Sequence, residues 1–320
     1  MSSCPGAFAE TYSQVNLANI VLYFAVFLGI SIALCSVRKK SGAGRKILGL
    51  PYILAIFLFL LSYGLELIAA ILQECDTINT DRYYSLLIAT NVFWYLAYWL
   101  LLFVVVYVLN TMLRERLSGV TAVYKVIYIA ILGVMFAITC GQIGLTCYNL
   151  WTQTEAGYDA NADLIVHPAE QLRVAYSVLY LISVIASGAL SLMTIATLRS
   201  RRHPVGDLQG WIIALIFSMV IWVLLSVVFA AAYLQDTLLT FEASAALTYI
   251  SNFFQALSFI FLLGIAKHAA WNKTAESAAA AQGYPPVVAQ QQYYYQQPPV
   301  YNGTGTPGSL HGQGHLSQVK

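Results

Sequence analysis

Glu66 is a carboxylate standing alone inside an apolar run, residues 47–72. It lies six residues from the end of that run, about 9 Å along a helix axis. Placing an ionisable group in hydrocarbon is costly, so such a residue marks a candidate site. A lone carboxylate there needs a cation, for which Arg173 is available, or else a proton, with a hydrogen bond to Asn91 as the plainest structural role. Other polar side chains fall at a similar depth in other runs. Asn91, Tyr95 and Tyr98 share a helical face at i, i+4, i+7. Gln142 sits in another run, Arg173 is followed by Tyr176 and Tyr180, and Tyr249, Asn252 and Gln255 recur at i, i+3, i+6. Glu66, Asn91, Tyr95, Gln142, Arg173, Tyr176, Asn252 and Gln255 are therefore the candidate ligand-binding set. A competing role for the amides and phenols is helix-to-helix hydrogen bonding, about 0.6–2 kcal/mol each. Tyr and Trp near the boundaries also serve as interfacial anchors.

These groups suit recognition better than bond-breaking. A retinal Schiff base needs a lysine midway along the last helix, and Tyr249 to Ile265 contains none. A membrane zinc hydrolase needs histidines within its helices. Here His167, His203, His268, His311 and His315 fall in turns, at a helix end or in the tail. Carboxylate-pair catalysis wants a second buried acid beside Glu66, and an ion-coupled pump wants more intramembrane charge. No enzyme activity, cofactor or metal is expected.

The elements that must position these residues are seven apolar stretches near 17–37, 47–72, 83–112, 123–147, 171–198, 208–234 and 244–268. Charged residues make up only 9% of the chain and hydrophobic ones 59%. Crossing about 30 Å of hydrocarbon takes roughly 20 apolar residues as a helix. Strands of a membrane barrel would alternate polar and apolar, and these stretches do not. The expected fold class is all-α, a polytopic seven-transmembrane helix bundle, because in lipid each backbone amide must be satisfied within its own segment.

Charge segregation orients the bundle. Arg38, Lys39, Lys40, Arg45 and Lys46 follow the first stretch, and Arg114, Arg116 and Lys125 follow the third. Arg199, Arg201 and Arg202 follow the fifth, and Lys267, Lys273 and Lys320 lie at or beyond the last. One side thus collects 14 of the 16 basic residues, while Arg82 and Arg173 share the other with ten acids. By the positive-inside rule the N-terminus is outside and the tail cytosolic. The first 16 residues lack Lys and Arg, so the first stretch reads as a retained helix rather than a signal peptide. The expected location is the plasma membrane.

Three regions follow: an extracellular N-terminal tail (1–16), the helical domain (17–270) and a disordered cytosolic tail (271–320). Cys75 and Cys147 end their helices on the oxidising side, where a Cys75–Cys147 disulfide is expected with Cys4 as the competing partner. The outer segment 148–169 reads as a long loop, either a cover for the bundle mouth or a solvated connector. The tail is rich in Gln, Tyr and Pro and cannot bury enough apolar surface to order itself. Within it Pro298-Pro299-Val300-Tyr301 fits the PPxY pattern of WW-domain ligands, similar to the recruitment sites of Nedd4-type ubiquitin ligases. Asn272 and Asn302 open sequons that this topology leaves unglycosylated.

In topology residues 17–270 resemble a G-protein-coupled receptor, through helix count and charge rather than motif. The third stretch ends Asn110-Thr111-Met112-Leu113-Arg114-Glu115-Arg116, without the acid–Arg–aromatic triplet of rhodopsin-like receptors. The last reads Ser251-Asn252-Phe253-Phe254-Gln255 in place of an Asn-Pro pair, and no stretch carries an internal proline, Pro51 standing at the very start of the second. The layout is also similar to fungal seven-helix proteins of the Pth11-like and RTA1-like kinds. The first resemblance implies sensing of a small or amphiphilic ligand from outside, with a G protein or other cytosolic effector on Arg38, Lys39, Lys40, Arg114, Arg116, Arg201 and Arg202. Those cations equally suit contact with membrane lipids. The RTA1-like layout implies instead a lipid or amphiphile exporter. No nucleic-acid partner is expected.

Overall fold

A computed structural model describes Cys4 and residues 7–117, 122–155, 163–201, 206–235 and 240–271. All belong to the unit Met1–Ala278. Seven helices make up this unit: α1 (Thr11–Lys40), α2 (Leu50–Glu74), α3 (Thr80–Leu117), α4 (Ala122–Glu155), α5 (Asp163–Ser200), α6 (Leu208–Leu234) and α7 (Phe241–Lys267). Each contains a span long and apolar enough to cross a membrane, the architecture of a multi-pass membrane protein. No strand occurs among the described residues. Large apolar side chains such as Ile32, Val134, Met193 and Phe217 project outward and are exposed. A girdle of this kind suits hydrocarbon and not water.

Helix ends follow their sequence signals. Pro51 occupies the first turn of α2, where a missing N–H costs nothing. The Thr240 hydroxyl accepts from the Ala243 amide at 3.3 Å and starts α7. Arg38, Lys39 and Lys40 fill the last turn of α1, and Asp81 and Glu242 the first turns of α3 and α7, each charge complementing the helix dipole.

Neighbours in sequence pack as neighbours in space, and α1 closes the ring against α7. Odd-numbered helices run parallel, so acidic helix ends gather at one end of the bundle and basic ones at the other. The α1–α7 seam is zipped by polar contacts. Asn252 Nδ2 donates to Asn19 Oδ1 at 3.0 Å, Tyr23 Oη to the Tyr249 carbonyl at 2.7 Å and Tyr249 Oη to the Val15 carbonyl at 3.0 Å. Phe27, Phe59 and Phe259 interlock in the middle with ring centroids 5.0–5.5 Å apart.

α3 is interrupted by a π-helical turn, Val104–Leu109, which displaces carbonyls from their usual partners. Asn110, fully buried, repairs this. Its amide donates to the carbonyls of Val105 and Val106 at 3.1 and 3.2 Å and to Ser187 Oγ at 2.8 Å, while its carbonyl accepts from Ser191 Oγ at 3.0 Å. The wide turn is thereby clamped to α5.

The basic end is sealed by side chains. Trp271 is buried with its Nε1 donating to the Ile265 carbonyl at 2.6 Å, and Arg116 donates to the Trp271 carbonyl. Lys46 pairs with Glu115 at 3.1 Å. Arg114 lies over the Tyr124 ring and donates to Tyr128 Oη, and Arg201 donates to the Leu117 carbonyl. Three of the cations expected to meet an effector or lipid are thus engaged within the chain. Lys39 and Lys40 are exposed, and Arg202 lies outside the described residues.

At the acidic end the N-terminal arm folds back over α2. The Phe8 amide donates to Glu74 Oε2 at 3.0 Å and Ser13 Oγ to Glu74 Oε1 at 2.5 Å. This brings Cys4 to Cys75, and those two form the disulfide, with Cα atoms 5.2 Å apart. The expected Cys75–Cys147 bridge is therefore replaced by its competitor, and Cys147 is a free thiol. A second difference concerns 148–169, expected as a loop. α4 runs on to Glu155 and α5 begins at Asp163, because no Gly or Pro interrupts Leu145 to Ala156 and the helical ladder simply continues. Pro168 consequently lies inside α5, near its start, where it removes one hydrogen bond. The PPxY motif Pro298–Tyr301 and both sequons lie outside the described residues.

Candidate functional site

A cavity of about 430 Å³ enters the bundle from its acidic end. That volume falls within the range of pockets for small organic ligands, ~300–1,000 Å³. Its rim carries Arg173, exposed Tyr233 and Ser244, and its floor is Trp222. Tyr233 and Trp222 are eleven residues apart on α6, a depth of roughly 16 Å.

The floor is aromatic. Tyr98 packs against Trp94 and Trp222 with centroids 5.2 and 5.0 Å away, and Tyr180 meets Trp222 at 5.6 Å. Tyr180 Oη donates to the Tyr98 carbonyl at 3.1 Å, which ties α3 to α5 at this level. Below stands buried core, including Leu101, Leu215 and Met219, so the described residues offer no continuation toward the basic end.

Six members of the expected set line this cavity: Glu66, Asn91, Tyr95, Arg173, Tyr176 and Asn252. Gln142 and Gln255 do not. Gln142 Nε2 donates to Tyr95 Oη and to Thr146 Oγ1, both at 3.3 Å, behind the wall. Gln255 is fully buried between helices with neither side-chain polar atom hydrogen-bonded among the described residues. Tyr249 turns instead to α1. Of the three α7 residues in that series, Asn252 alone lines the cavity.

The charges do not pair as the sequence suggested. Arg173 lies 3.6 Å from Glu170, one turn away on its own helix, and rests over the Tyr233 ring at 5.7 Å. Asn91 Nδ2 donates to the Leu87 carbonyl of its own helix at 2.8 Å and does not hydrogen-bond Glu66. Glu66 has neither a hydrogen bond nor an ion pair among the described residues. Beside it Thr90 Oγ1 and Trp94 Nε1 are buried without hydrogen-bond partners. Buried polar groups in folded proteins are normally satisfied, and these two line the cavity without a partner among the described residues.

Sequence reasoning missed the α6 wall. Trp222, Ser226, Phe229 and Tyr233 line the cavity at i, i+4, i+7, i+11, one face of a helix. The spacing was available, but α6 is the most apolar of the seven spans and holds no ionisable residue other than its terminal tyrosine. A search for membrane-embedded charge therefore passes over it. Thr90, Trp94, Thr248 and Ser251 were missed for a similar reason.

Compared with known proteins, the chain matches no family model, no curated protein and no solved structure. The function must be argued from the cavity.

Proposed function

We propose that this protein is a seven-helix membrane receptor that takes a small or amphiphilic ligand into the cavity from the extracellular side, with its N-terminus outside, its tail cytosolic and the plasma membrane as its location. The observation that carries this reading is the contrast along the bundle axis. A deep pocket with unpaired polar groups stands at the acidic end, above an aromatic floor and a sealed basic end. The positive-inside rule turns the acidic end outward, where an external ligand arrives. A blind pocket suits sensing more than passage, which favours a receptor over an RTA1-like exporter. The floor touches α3, α5 and α6, so a ligand resting on Trp222 acts on three helices at once. Occupancy can then bias how they pack, the only means by which a ligand shifts a conformational equilibrium.

The test compares a strain lacking the protein with its parent, scoring transcriptional response to extracellular amphiphiles and tolerance of lipid and drug stress. Lost response with unchanged tolerance is expected. Unchanged response with altered tolerance overturns the receptor in favour of the exporter.

A further inference from the structure

We propose that the cavity selects an organic cation, a protonated amine or quaternary ammonium carried on an apolar body, with Glu66 as its counter-charge and the aromatic floor as its seat. This rests on the cavity being a ligand site, as argued above, and adds the chemical class.

Charge decides the sign. One acid and one base line the cavity, Glu66 and Arg173. Arg173 is already matched by Glu170 at 3.6 Å and by the face of Tyr233. Glu66 has no such partner, which leaves its negative charge as the uncompensated one inside the pocket. An anionic ligand would have to displace Glu170 while facing Glu66, and a neutral one would leave the carboxylate unpaired. A bound cation supplies the partner it lacks and holds it in the carboxylate form.

The rings agree with the charge. Trp94, Tyr98, Tyr180 and Trp222 gather at the floor, and indole and phenol faces attract cations, more strongly where water is excluded. A quaternary ammonium is weakly hydrated and needs no hydrogen bond, so a box of rings with one carboxylate is its customary host. A primary or secondary amine would in addition donate to Thr90 Oγ1, which has no hydrogen-bond partner among the described residues.

The experiment titrates the full chain in nanodiscs of zwitterionic lipid by calorimetry, subtracting empty discs. The probes are benzyltrimethylammonium and its uncharged isostere neopentylbenzene. Saturable binding is expected for the cation, at least about tenfold tighter than for the isostere. Glu66→Gln should weaken the cation by about tenfold or more and leave the isostere unchanged, and Trp94→Leu should weaken the cation roughly threefold to tenfold. The two-probe comparison on the native chain needs no variant, so a poorly folding substitution leaves it intact. Equal saturable binding of both probes overturns the cation while leaving a ligand site in place. Saturable binding by neither also overturns it, and whether the protein senses anything is then read independently from the strain experiment.

Discussion

Two polar clusters inside this bundle, one around Asn110 and one around the cavity, are treated in opposite ways. In the half toward the basic end Asn110 uses both its amide and its carbonyl, joining Val105, Val106, Ser187 and Ser191 into one knot. In the half toward the acidic end Glu66, Thr90 Oγ1 and Trp94 Nε1 are left unpaired around a cavity. The same residue classes therefore serve cohesion in one place and vacancy in the other. A satisfied polar group inside a membrane bundle fixes helix to helix, because its only alternative is to be unsatisfied in hydrocarbon. An unsatisfied one gains nothing from the fold, and where it lines a cavity it is open to a partner from outside.

Four substitutions bear on this contrast, and each is read from the unfolding temperature of the detergent-purified protein. The largest effect is expected at the seal. A Cβ on Gly44 would lie 2.9 Å from the Ala266 carbonyl carbon and 3.0 Å from Trp271 Cδ1. The first of these is backbone and cannot rotate away. Gly44→Val should therefore cost about 3 kcal/mol, and a native-like melt would show that the basic end is loosely closed. Next comes the knot. Asn110→Leu removes the donor to the Val106 carbonyl and leaves Val105 only Ser187 Oγ, and should cost about 2 kcal/mol, with a fall in melting temperature that Ser187→Ala reproduces only in part. The smallest effect belongs to the cavity. Glu66→Gln removes a charge that stabilises nothing in the fold, and should change stability by less than about 0.5 kcal/mol or raise it slightly. A clear loss of stability there would erase the distinction between the two halves.

Much of the architecture was legible in the residue string. Seven apolar runs appear as seven helices, and Pro51, Thr240 and the basic last turn of α1 mark their boundaries. The wall contributed by α3 was also legible, since Asn91, Tyr95 and Tyr98 repeat at helical spacing and line the cavity together. Pairings between distant residues were not. Arg173 was expected against Glu66, and only the packing shows that its partner is instead Glu170, one turn away on its own helix. Cys75 had two possible partners, and the arm that settled the choice is held by Phe8 and Ser13 on Glu74, a contact with no periodic signature. The π-turn was equally silent, because Val104–Leu109 reads as ordinary helix until Asn110 is seen to be completing it.

Taken alone, the amino-acid order determined the medium and the element lengths, since hydrocarbon thickness and backbone satisfaction admit few answers for runs this apolar. The tertiary structure decided which face of each helix turns inward and which polar groups meet. Those outcomes depend on helix rotation and close packing among α2, α3, α5, α6 and α7. A rotation of a few tens of degrees would hide Glu66 or turn Trp222 from the floor, and nothing local along the chain encodes it.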